Sequence, residues 1–524
     1  MKQKKREVLC IWAVAILLMT AFVAANAQYD TKENAGQKNI NSLQPPSIEW
    51  YKTFGGSGYD MLYCVRQTND GGYIAAGSTS DEEEIGHAWL VKIDANGNEE
   101  WSAKNLVNSG GAANIVTSYI ELTDDGGYLV SGHNWVFGFM WKTDETGNTE
   151  WAKYYYPKSQ GGDYGRLLMA QQTDDGGYVA ICYKEVSSTD YDSMLIKTDS
   201  AGNVEWSKTY RYGNSLDELF SLSKTDDGGY VMGGYANTPD NVNYWVVKTD
   251  SQGNKQWEKT YGGVNWAASF ARNACVQTDD GGYMVTGIRY AYGAGKNDLW
   301  IVKTDENGNE EWNESFGEST DERCWSMDIT DDGGYIFCLT KNYAGMSGSK
   351  GDVWIIKVDN EGNAVWSQTF DGSKEDRGYY ISRTSDGGYI VAGRTESYGA
   401  GGSDGLLIKI SPDEELSRPS IDVIKPKSGY IYLFDMLGIP FPFFEQALVL
   451  GDITFQVSTD SGAGNAEITK VEYFINGVVV AKVTEQPFSY KWTGAEPGIY
   501  FIKVRVYNSW GGTDQETFAI KKVI

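Results

Sequence analysis

Eight acidic residues stand at two fixed places in a repeated sequence unit. Their carboxylates could act in ligand binding, metal binding or acid–base catalysis. Each unit contains the phrase DGGY, and thirteen residues before its tyrosine four units carry an acid: Asp60, Asp217, Glu322 and Asp376. Later in the unit, where an apolar segment begins, four more acids recur: Asp192, Asp298, Asp352 and Asp404. Grouped carboxylates could bind a sugar, a cation or a basic partner, whereas single ones commonly accept hydrogen bonds from loop N–H groups. Repetition favours the second role, and the first is the hypothesis for a binding site.

The same acids define an enzymatic alternative. A glycoside hydrolase uses two carboxylates about 5 to 10 Å apart, and the acid set could supply such a pair. No nucleophile elbow, P-loop or dinucleotide-binding motif stands in a supporting context. We expect no arginine cluster that holds a carboxylate, because the arginines that precede DGGY are scattered among the units: Arg66, Arg272, Arg323 and Arg377.

Metal chemistry has little support in the sequence. The chain contains two histidines, His87 and His133, and a zinc or comparable centre needs more nitrogen or sulfur ligands. The turn DENGN, Asp305 to Asn309, gathers Asp and Asn oxygens but is too short for an EF-type loop. We therefore expect no cofactor, and Ca²⁺ stays open only as a structural ligand.

The elements that position these acids follow from two phrases that travel together. DGGY occurs seven times at intervals of 50 to 55 residues, and D-x-x-G-N-x-x-W follows it in six units, as in DANGNEEW at Asp94 to Trp101. Asp, Asn and Gly suit tight hairpin turns. Four short strand-like runs lie between the turns, and a repeat of this length predicts four-stranded sheets arranged as propeller blades.

The two ends of the repeat array predict how the ring closes. The last unit runs through Leu406 to Ile410 and then lacks its tryptophan strand, whereas SIEWYKTF around Trp50 stands before the first complete unit. The N-terminal strand would therefore pair beside Leu406 to Ile410 and leave no open sheet edge. The prediction is an all-β seven-bladed β-propeller over residues 47–410, with the repeated tryptophans packed between blades.

The doubled motif resembles the tandem secreted β-propeller repeats of bacterial and archaeal surface proteins. This resemblance covers residues 47–410 and implies the fold more than any activity. After a linker at 411–420, residues 421–524 carry alternating strands and a hairpin signal at Asn476-Gly477. This part resembles bacterial and archaeal Ig-like modules, so we expect an Ig-like β-sandwich.

The N-terminus and the net charge bound the location and the partners. Basic residues, an apolar run from Val8 to Ala25 and the small residues Ala25-Asn26-Ala27 predict a signal peptide over 1–27. A flexible segment, 28–46, would follow. The chain would then be secreted or held at the cell surface, with an uncleaved anchor as the alternative. A net charge of −26 disfavours nucleic acid. The five cysteines after the signal are expected to be buried free thiols, and a single chance disulfide is the alternative: Cys64, Cys182, Cys275, Cys324 and Cys338.

The functional prediction rests on which loops vary. In a four-stranded meander both turn phrases lie on one face, while the longer loops of irregular sequence lie on the other, where function is more often found. We expect a noncatalytic binding or adhesion protein that recognises an extracellular glycan or protein through the variable face. A polysaccharide-active hydrolase or lyase and a ligand-free scaffold are the alternatives. Nonrepeating aromatic residues are the candidate ligand contacts: Tyr290, Tyr292, Tyr343 and Tyr398.

Overall fold

The computed structural model describes residues 45–80, 86–105, 115–134, 137–155, 165–187, 190–213, 217–237, 242–262, 267–268, 274–290, 297–343, 350–413, 419–428, 430–433, 435, 438–440, 447–461, 467–493, 496–508 and 513–523. The predicted signal peptide and nearly all of segment 28–46 lie outside these residues. In the described part of the chain no helix combines the length and the apolar character that crossing a membrane requires.

The described residues of 47–410 form seven antiparallel sheets, which we number in chain order. Strand β1 (Ile48–Phe54) precedes them. Sheet 1 contains β2 (Met61–Gln67), β3 (Tyr73–Ser80), β4 (Gly86–Ile93) and β5 (Glu99–Asn105). Sheet 2 contains β6 (Val116–Leu122), β7 (Tyr128–His133), β8 (Gly138–Thr143) and β9 (Thr149–Tyr155). Sheet 3 contains β10 (Leu167–Gln172), β11 (Tyr178–Ser187), β12 (Asp190–Thr198) and β13 (Val204–Tyr210).

The remaining four sheets repeat this order. Sheet 4 contains β14 (Asp217–Lys224), β15 (Tyr230–Asn237), β16 (Val242–Thr249) and β17 (Lys255–Tyr261). Sheet 5 contains β18 (Ala267–Ala268) and β19 (Cys275–Gln277), which both pair with β20 (Tyr283–Tyr290), then β21 (Asn297–Thr304) and β22 (Glu310–Phe316). Sheet 6 contains β23 (Arg323–Ile329), β24 (Tyr335–Lys341), β25 (Asp352–Val358) and β26 (Ala364–Phe370). Sheet 7 contains β27 (Asp376–Arg383), β28 (Tyr389–Thr395), β29 (Asp404–Ile410) and β1.

The N-terminal strand completes the last sheet. Strand β1 pairs antiparallel with β29, with Lys52 opposite Leu407 and Thr53 opposite Leu406, so the pairing predicted from the sequence is confirmed. Each sheet packs on the next, and the strands of sheet 7 pack on β2 of sheet 1. At that last junction Ser385 N donates to Gln67 Oε1 at 2.6 Å. The packing order of the seven sheets is therefore closed.

The repeated tryptophans lie between sheets, as predicted. Trp50 in sheet 7 contacts Tyr73 in sheet 1 with ring centroids 6.0 Å apart, and Trp366 in sheet 6 contacts Tyr389 in sheet 7 at the same distance. The tryptophan also lies against the turn glycine of the following sheet, where a Cβ on Gly97 would meet the Trp50 ring. One ring per sheet thus packs at each junction, and inter-sheet packing explains why the tryptophan recurs.

The phrase DGGY is a structural turn. In the first copy Asp70 Oδ1 accepts hydrogen bonds from Thr68 Oγ1 at 2.5 Å and from Gly72 N at 3.0 Å. Gly71 has a φ of +83°, which only glycine adopts at little cost. A Cβ on Gly72 would collide with the carbonyl oxygen of Ile93 on the third strand. Gly71 is therefore required for its positive φ, and Gly72 is required for its close approach to the third strand.

The C-terminal region forms two sheets. One has the order β30 (Ser420–Lys425), β34 (Ile453–Asp460), β37 (Ser489–Trp492). The other is built from β31 (Tyr430–Leu433), β32 (Gly438–Pro440), β33 (Ala447–Leu450), β35 (Ile468–Ile475), β36 (Val478–Val483), β38 (Gly498–Asn508) and β39 (Thr513–Lys522). Asn476 and Gly477 both have positive φ between β35 and β36, which confirms the predicted hairpin.

The cysteines after the predicted signal are buried and free: Cys64, Cys182, Cys275, Cys324 and Cys338. This agrees with the expectation of buried thiols. Burial raises the pKa of the Cys324 thiol to about 12, so this sulfur stays protonated and inert.

Candidate functional site

The strand order divides the repeat region into two faces. We call the end that carries the DGGY and D-x-x-G-N turns the turn face, and the end that carries the loops from second to third strands and from sheet to sheet the variable face. Because each sheet is an antiparallel meander, the two turns of a sheet lie at the same end of its strands.

A buried lysine organises the turn face in every sheet. The ammonium nitrogen of this third-strand lysine lies 2.7–2.9 Å from a carboxylate oxygen of the Asp in DGGY. These buried lysines were not predicted, although a lysine stands at the same place in each apolar third strand: Lys92, Lys142, Lys197, Lys248, Lys303, Lys357 and Lys409. The aspartates of the DGGY turns therefore form ion pairs within the protein.

The second turn uses its acid locally. Asp305 accepts hydrogen bonds from Asn307 N at 2.9 Å, from Asn309 N at 2.7 Å and from Asn309 Nδ2 at 2.8 Å. The bonds from Asn309 hold the pKa of Asp305 below its ordinary value. Calcium binding here stays a prediction, and it would have to compete with these three donors.

On the variable face the predicted acids meet in pairs at the junctions between sheets. The backbone N–H of Asp60, Glu322 and Asp376 donates to the carbonyl oxygen of Ser403, Asn297 and Gly351, at 2.8, 2.8 and 2.7 Å. Each acceptor directly precedes a third-strand acid of the neighbouring sheet. The same junction therefore receives one acid from each set: Asp404 with Asp60, Asp298 with Glu322, and Asp352 with Asp376.

Most of these carboxylates accept hydrogen bonds from nearby loops. Asp217 accepts bonds from the N–H groups of Tyr212, Gly213 and Asn237 at 2.9–3.1 Å. Asp404 accepts bonds from Ala400 N at 3.0 Å and Gly401 N at 3.1 Å. Four more acids have partners within 3.5 Å: Asp60 with Gly56 N, Asp376 with Thr395 and Ser397 hydroxyls, Asp352 with Asn342 Nδ2, and Asp192 with Arg211 Nε.

The pair Asp298 and Glu322 differs from the others. These side chains are 2% and 1% exposed, and they lie at one junction, where the N–H of Glu322 bonds to the carbonyl oxygen of Asn297. Burial raises the pKa of both, the charge of Asp298 raises that of Glu322 further, and a 2.6 Å hydrogen bond from Thr320 Oγ1 opposes the shift. Burial beside a like charge therefore favours the protonated form of this pair.

The innermost strands carry a repeated irregularity near the variable face. In six of the seven sheets the first strand has a β-bulge against the second strand, always ten residues before the DGGY tyrosine. In sheet 5 the corresponding position lies between β18 and β19, outside the described residues. A bulge turns its extra side chain out of the regular alternation. The extra residues differ from sheet to sheet: Tyr63, Ser118, Leu168, Phe220, Trp325 and Tyr379.

Three of these bulge residues form an aromatic arc across sheets 6, 7 and 1. The ring of Tyr379 lies 5.2 Å from that of Trp325 and 5.1 Å from that of Tyr63. Neighbouring innermost strands thus present their bulge side chains to one another. The sequence signal was a position that varies in type within an otherwise regular strand, but the bulge itself was not predicted.

Two arginines join this arc, which corrects the expectation that they are scattered. The Tyr343 ring has the guanidinium carbon of Arg323 at 5.2 Å and that of Arg377 at 4.8 Å, and Arg323 also lies 4.4 Å from the Trp325 ring centroid. Such distances are those of cation–π contacts. Burial lowers the pKa of Arg323, and the nearby charge of Arg377 acts in the same direction, while the Tyr343 hydroxyl opposes it. We call Arg323, Trp325, Tyr343, Arg377 and Tyr379 the arginine–aromatic cluster.

The other predicted contacts lie elsewhere. Arg66 stacks with its guanidinium 5.0 Å from the rings of Tyr119 and Tyr380, and Arg272 and Tyr292 lie outside the described residues. Tyr398 packs 5.1 Å from Tyr51. Of the large exposed side chains in the described repeat region, three are tyrosines of variable-face loops or strand ends, with 40–62% of their surface exposed: Tyr59, Tyr212 and Tyr290.

Comparisons with known proteins concern the fold. None of the curated protein sequences compared with the chain matches it. The extracellular domain of a one-component system from B. thetaiotaomicron has a TM-score of 0.40 and 11% identity, over 89% of this chain and 57% of that one. The Dos1 propeller has a TM-score of 0.42 and 14% identity, over 72% of this chain and 97% of that one. The β-propeller domain of the Trilobed protease from Pyrococcus furiosus has a TM-score of 0.38 and 11% identity, over 68% of this chain and 94% of that one. In the C-terminal region, residues 445–504 match the bacterial Ig domain family.

Proposed function

We propose that the seven sheets are the blades of a closed β-propeller whose variable face binds an extracellular glycan or protein without catalysing a reaction. The closed packing order and the pairing of β1 with β29 support the propeller. The bacterial Ig match over 445–504 and the sequence pattern of 1–27 support secretion or display at the cell surface.

The repeated bulge is the observation that carries the placement of the binding site. It keeps one backbone geometry in six sheets while its side chain changes among Tyr, Ser, Leu, Phe and Trp. A side chain needed only for packing would be expected to recur, as the junction tryptophans do. Changing side chains on a fixed frame suit recognition. The half-buried Tyr63, Trp325 and Tyr343 lie where a ligand can reach them.

The eight predicted acids have two different roles in the proposed function. Asp60, Asp192, Asp217, Asp352, Asp376 and Asp404 hold loops in place and would shape the variable face. Asp298 and Glu322 belong to the second candidate function, a polysaccharide-active hydrolase or lyase, because they lie at one junction and their pKa values are raised. Their exposure of 2% and 1% gives a substrate no access. We therefore rank binding above catalysis.

A glycan and protein array tests the binding function. We expect that Trp325→Ala lowers the affinity for the bound ligand at least tenfold, because it removes the half-buried ring that joins the aromatic arc to Arg323. A matched change on the turn face, Arg383→Ala, should leave affinity unchanged, since Arg383 is 52% exposed and pairs there with Asp331. Circular dichroism of both variants checks the fold. Loss of binding in Arg383→Ala with retention in Trp325→Ala would reject the site.

A turnover assay separates the enzymatic alternative. Wild type and Glu322→Gln are incubated with each glycan that the array identifies, and reducing ends are counted. Turnover that disappears in Glu322→Gln would establish the hydrolase and overturn the noncatalytic proposal. Intact glycan with both proteins agrees with binding alone.

A further inference from the structure

We propose, resting on the proposed binding function, that the ligand is an acidic glycan whose carboxylate or sulfate group is bound by the arginine–aromatic cluster. Three features support this ligand class: the arginines gathered there, their contrast with the equivalent positions in other sheets, and the aromatic side chains beside them.

Positive charge is concentrated at this place in an acidic chain. Two guanidinium groups bind Glu375, because Arg377 donates to one carboxylate oxygen at 2.5 Å and Arg394 donates to the other. A third, that of Arg323, stacks beside Arg377 on Tyr343. The next acid, Glu396, lies 3.6 Å from Arg394. Three arginines and two glutamates are thus gathered here, in a protein whose net charge is −26.

The guanidinium groups are held in fixed positions. Arg323 Nη1 donates to the Tyr343 hydroxyl at 3.3 Å, and both arginines lie over the same ring. Arg377 is 8% exposed and Glu375 is also buried. Fixing two like charges close together costs free energy that a bound oxyanion recovers, and a planar guanidinium matches the geometry of a carboxylate or sulfate.

In sheets 3 and 4 the equivalent position carries residues of opposite charge. Arg323 and Arg377 stand twelve residues before their DGGY tyrosines, and the equivalent residues of sheets 3 and 4 are Arg166 and Glu218. There the positive charge of Arg166 faces the carboxylate of Glu218. Sheets 6 and 7 instead place two arginines side by side. Arginine at this position in two consecutive units is therefore particular to sheets 6 and 7.

The aromatic arc favours a sugar as the carrier of the anion. The half-buried Trp325 and Tyr63 lie on either side of the buried Tyr379 ring, next to the guanidinium groups. The exposed Tyr59 stands in the loop that leads into the strand of Tyr63. Sugar rings pack their apolar faces on such side chains, while their acidic groups reach a neighbouring cation. An acidic peptide would satisfy the charge but would use the flat rings less well.

Calorimetry on the full chain with matched probes tests the inference. The probes are oligosaccharides that contain uronic acid, the same oligosaccharides with their carboxyl groups reduced, sulfated oligosaccharides, and a polyglutamate peptide. Arg323→Gln and Arg377→Gln should each weaken binding of an acidic oligosaccharide 10- to 100-fold, and Arg323→Lys should restore part of it. Arg166→Gln, at the equivalent position in sheet 3, should change the affinity less than threefold.

Each outcome separates the ligand class from the binding function. Binding of uronate or sulfated probes that depends on Arg323 supports the inference and names the source of the anion. Equal affinity for the carboxyl-reduced probes, lost in Trp325→Ala but not in Arg323→Gln, overturns the acidic ligand and keeps the binding site. Binding of polyglutamate alone overturns the glycan and indicates a protein partner. Absence of binding by every probe overturns the proposed function together with the inference.

Discussion

The turn face and the variable face are built on the same strands but use their polar groups in opposite ways. On the turn face each sheet repeats one arrangement: a buried lysine paired with the DGGY aspartate, and an Asp-Asn turn whose carboxylate serves its own backbone. On the variable face the backbone repeats, as the bulges show, but the side chains on it change. The difference shows that one face preserves the ring while the other can vary at little cost to it.

The junction acids extend this comparison into the variable face itself. Asp217 and Asp404 are bonded by loop N–H groups and behave like the acids of the turn face. Asp298 and Glu322 instead lie at one junction, where burial raises the pKa of both. The variable face therefore contains acids that are stabilised by loop hydrogen bonds and one buried acid pair whose ionisation is unfavourable. Substitutions on the turn face should change stability, and substitutions on the exposed variable face should change binding.

The largest effect is expected at Asp413, which completes the turn face of sheet 6. Lys357 is fully buried between Asp332 and Asp413, and Asp413 also accepts bonds from Trp366 Nε1 at 2.5 Å and from the Tyr389 hydroxyl at 3.0 Å. Asp413→Asn leaves a buried ammonium with one acid partner, so we expect a loss of about 3 kcal/mol in unfolding free energy. Urea denaturation measures it, with ligand affinity unchanged for the folded fraction.

The matched control for this prediction is Glu311→Gln in sheet 5. Glu311 pairs with Lys303 at 3.0 Å but is 47% exposed, and sheet 4 already holds Gln256 at the equivalent place against Lys248. The control should cost less than about 1 kcal/mol. Equal losses in the two variants would show that burial of the lysine does not decide the contribution of its partners.

Much of the fold was predictable because its signals are local. The turn phrases mark where strands end, and the tryptophan strand missing after Ile410 predicted the pairing of β1 with β29. The buried lysines escaped notice because lysine is almost never fully buried unless paired. Their partners lie eight residues ahead and about twenty behind, as Glu100 and Asp70 do for Lys92. Asp413 was harder still, since it comes from the segment predicted as linker.

The second effect is a pH dependence of stability from the pair Asp298 and Glu322. Burial and the neighbouring acid raise the pKa of Glu322 above its ordinary value. In the unfolded chain the proton leaves at lower pH than in the folded chain, so stability is highest in acid and falls as the pH rises from about 4 through the raised pKa. We expect wild type to lose about 2 kcal/mol more than Glu322→Gln between pH 5 and pH 9.

Denaturant unfolding at pH 5, 7 and 9 measures this difference. Asp404→Asn is the comparison within the variable face, because its carboxylate accepts two loop N–H bonds, from Ala400 and Gly401. That substitution should destabilise the protein at every pH tested. If wild type and Glu322→Gln respond alike to pH, the folded protein does not favour the protonated form of this pair.

The candidate site was less predictable than the fold because pairing across strands creates it. A bulge depends on the register of two strands, which a pattern of residue types along one strand does not specify. Arg323 and Arg377 lie in separate units and look scattered along the chain. They are neighbours because they occupy the same position in consecutive sheets, so aligning the units by their DGGY tyrosines would have revealed the cluster, whereas the placement of Tyr343 between them depends on a loop.

The smallest effect on stability is expected at Tyr59, where the two faces should differ most clearly. This side chain is 62% exposed in the loop before β2, so Tyr59→Ala removes little buried surface and should change the unfolding free energy by less than about 0.5 kcal/mol. Its ring can stack on a ligand beside the aromatic arc, so affinity for a glycan should fall about threefold to tenfold. Denaturant unfolding and calorimetry on the same variant measure both quantities. Tyr51→Ala on the outer strand β1 is the control, because its ring packs on Phe370 and Tyr398 and is 45% exposed. It should cost more stability than Tyr59→Ala and leave affinity unchanged. A Tyr59 variant that loses stability but keeps its affinity would place this loop with the ring-preserving turn face and contradict the division of labour between the two faces.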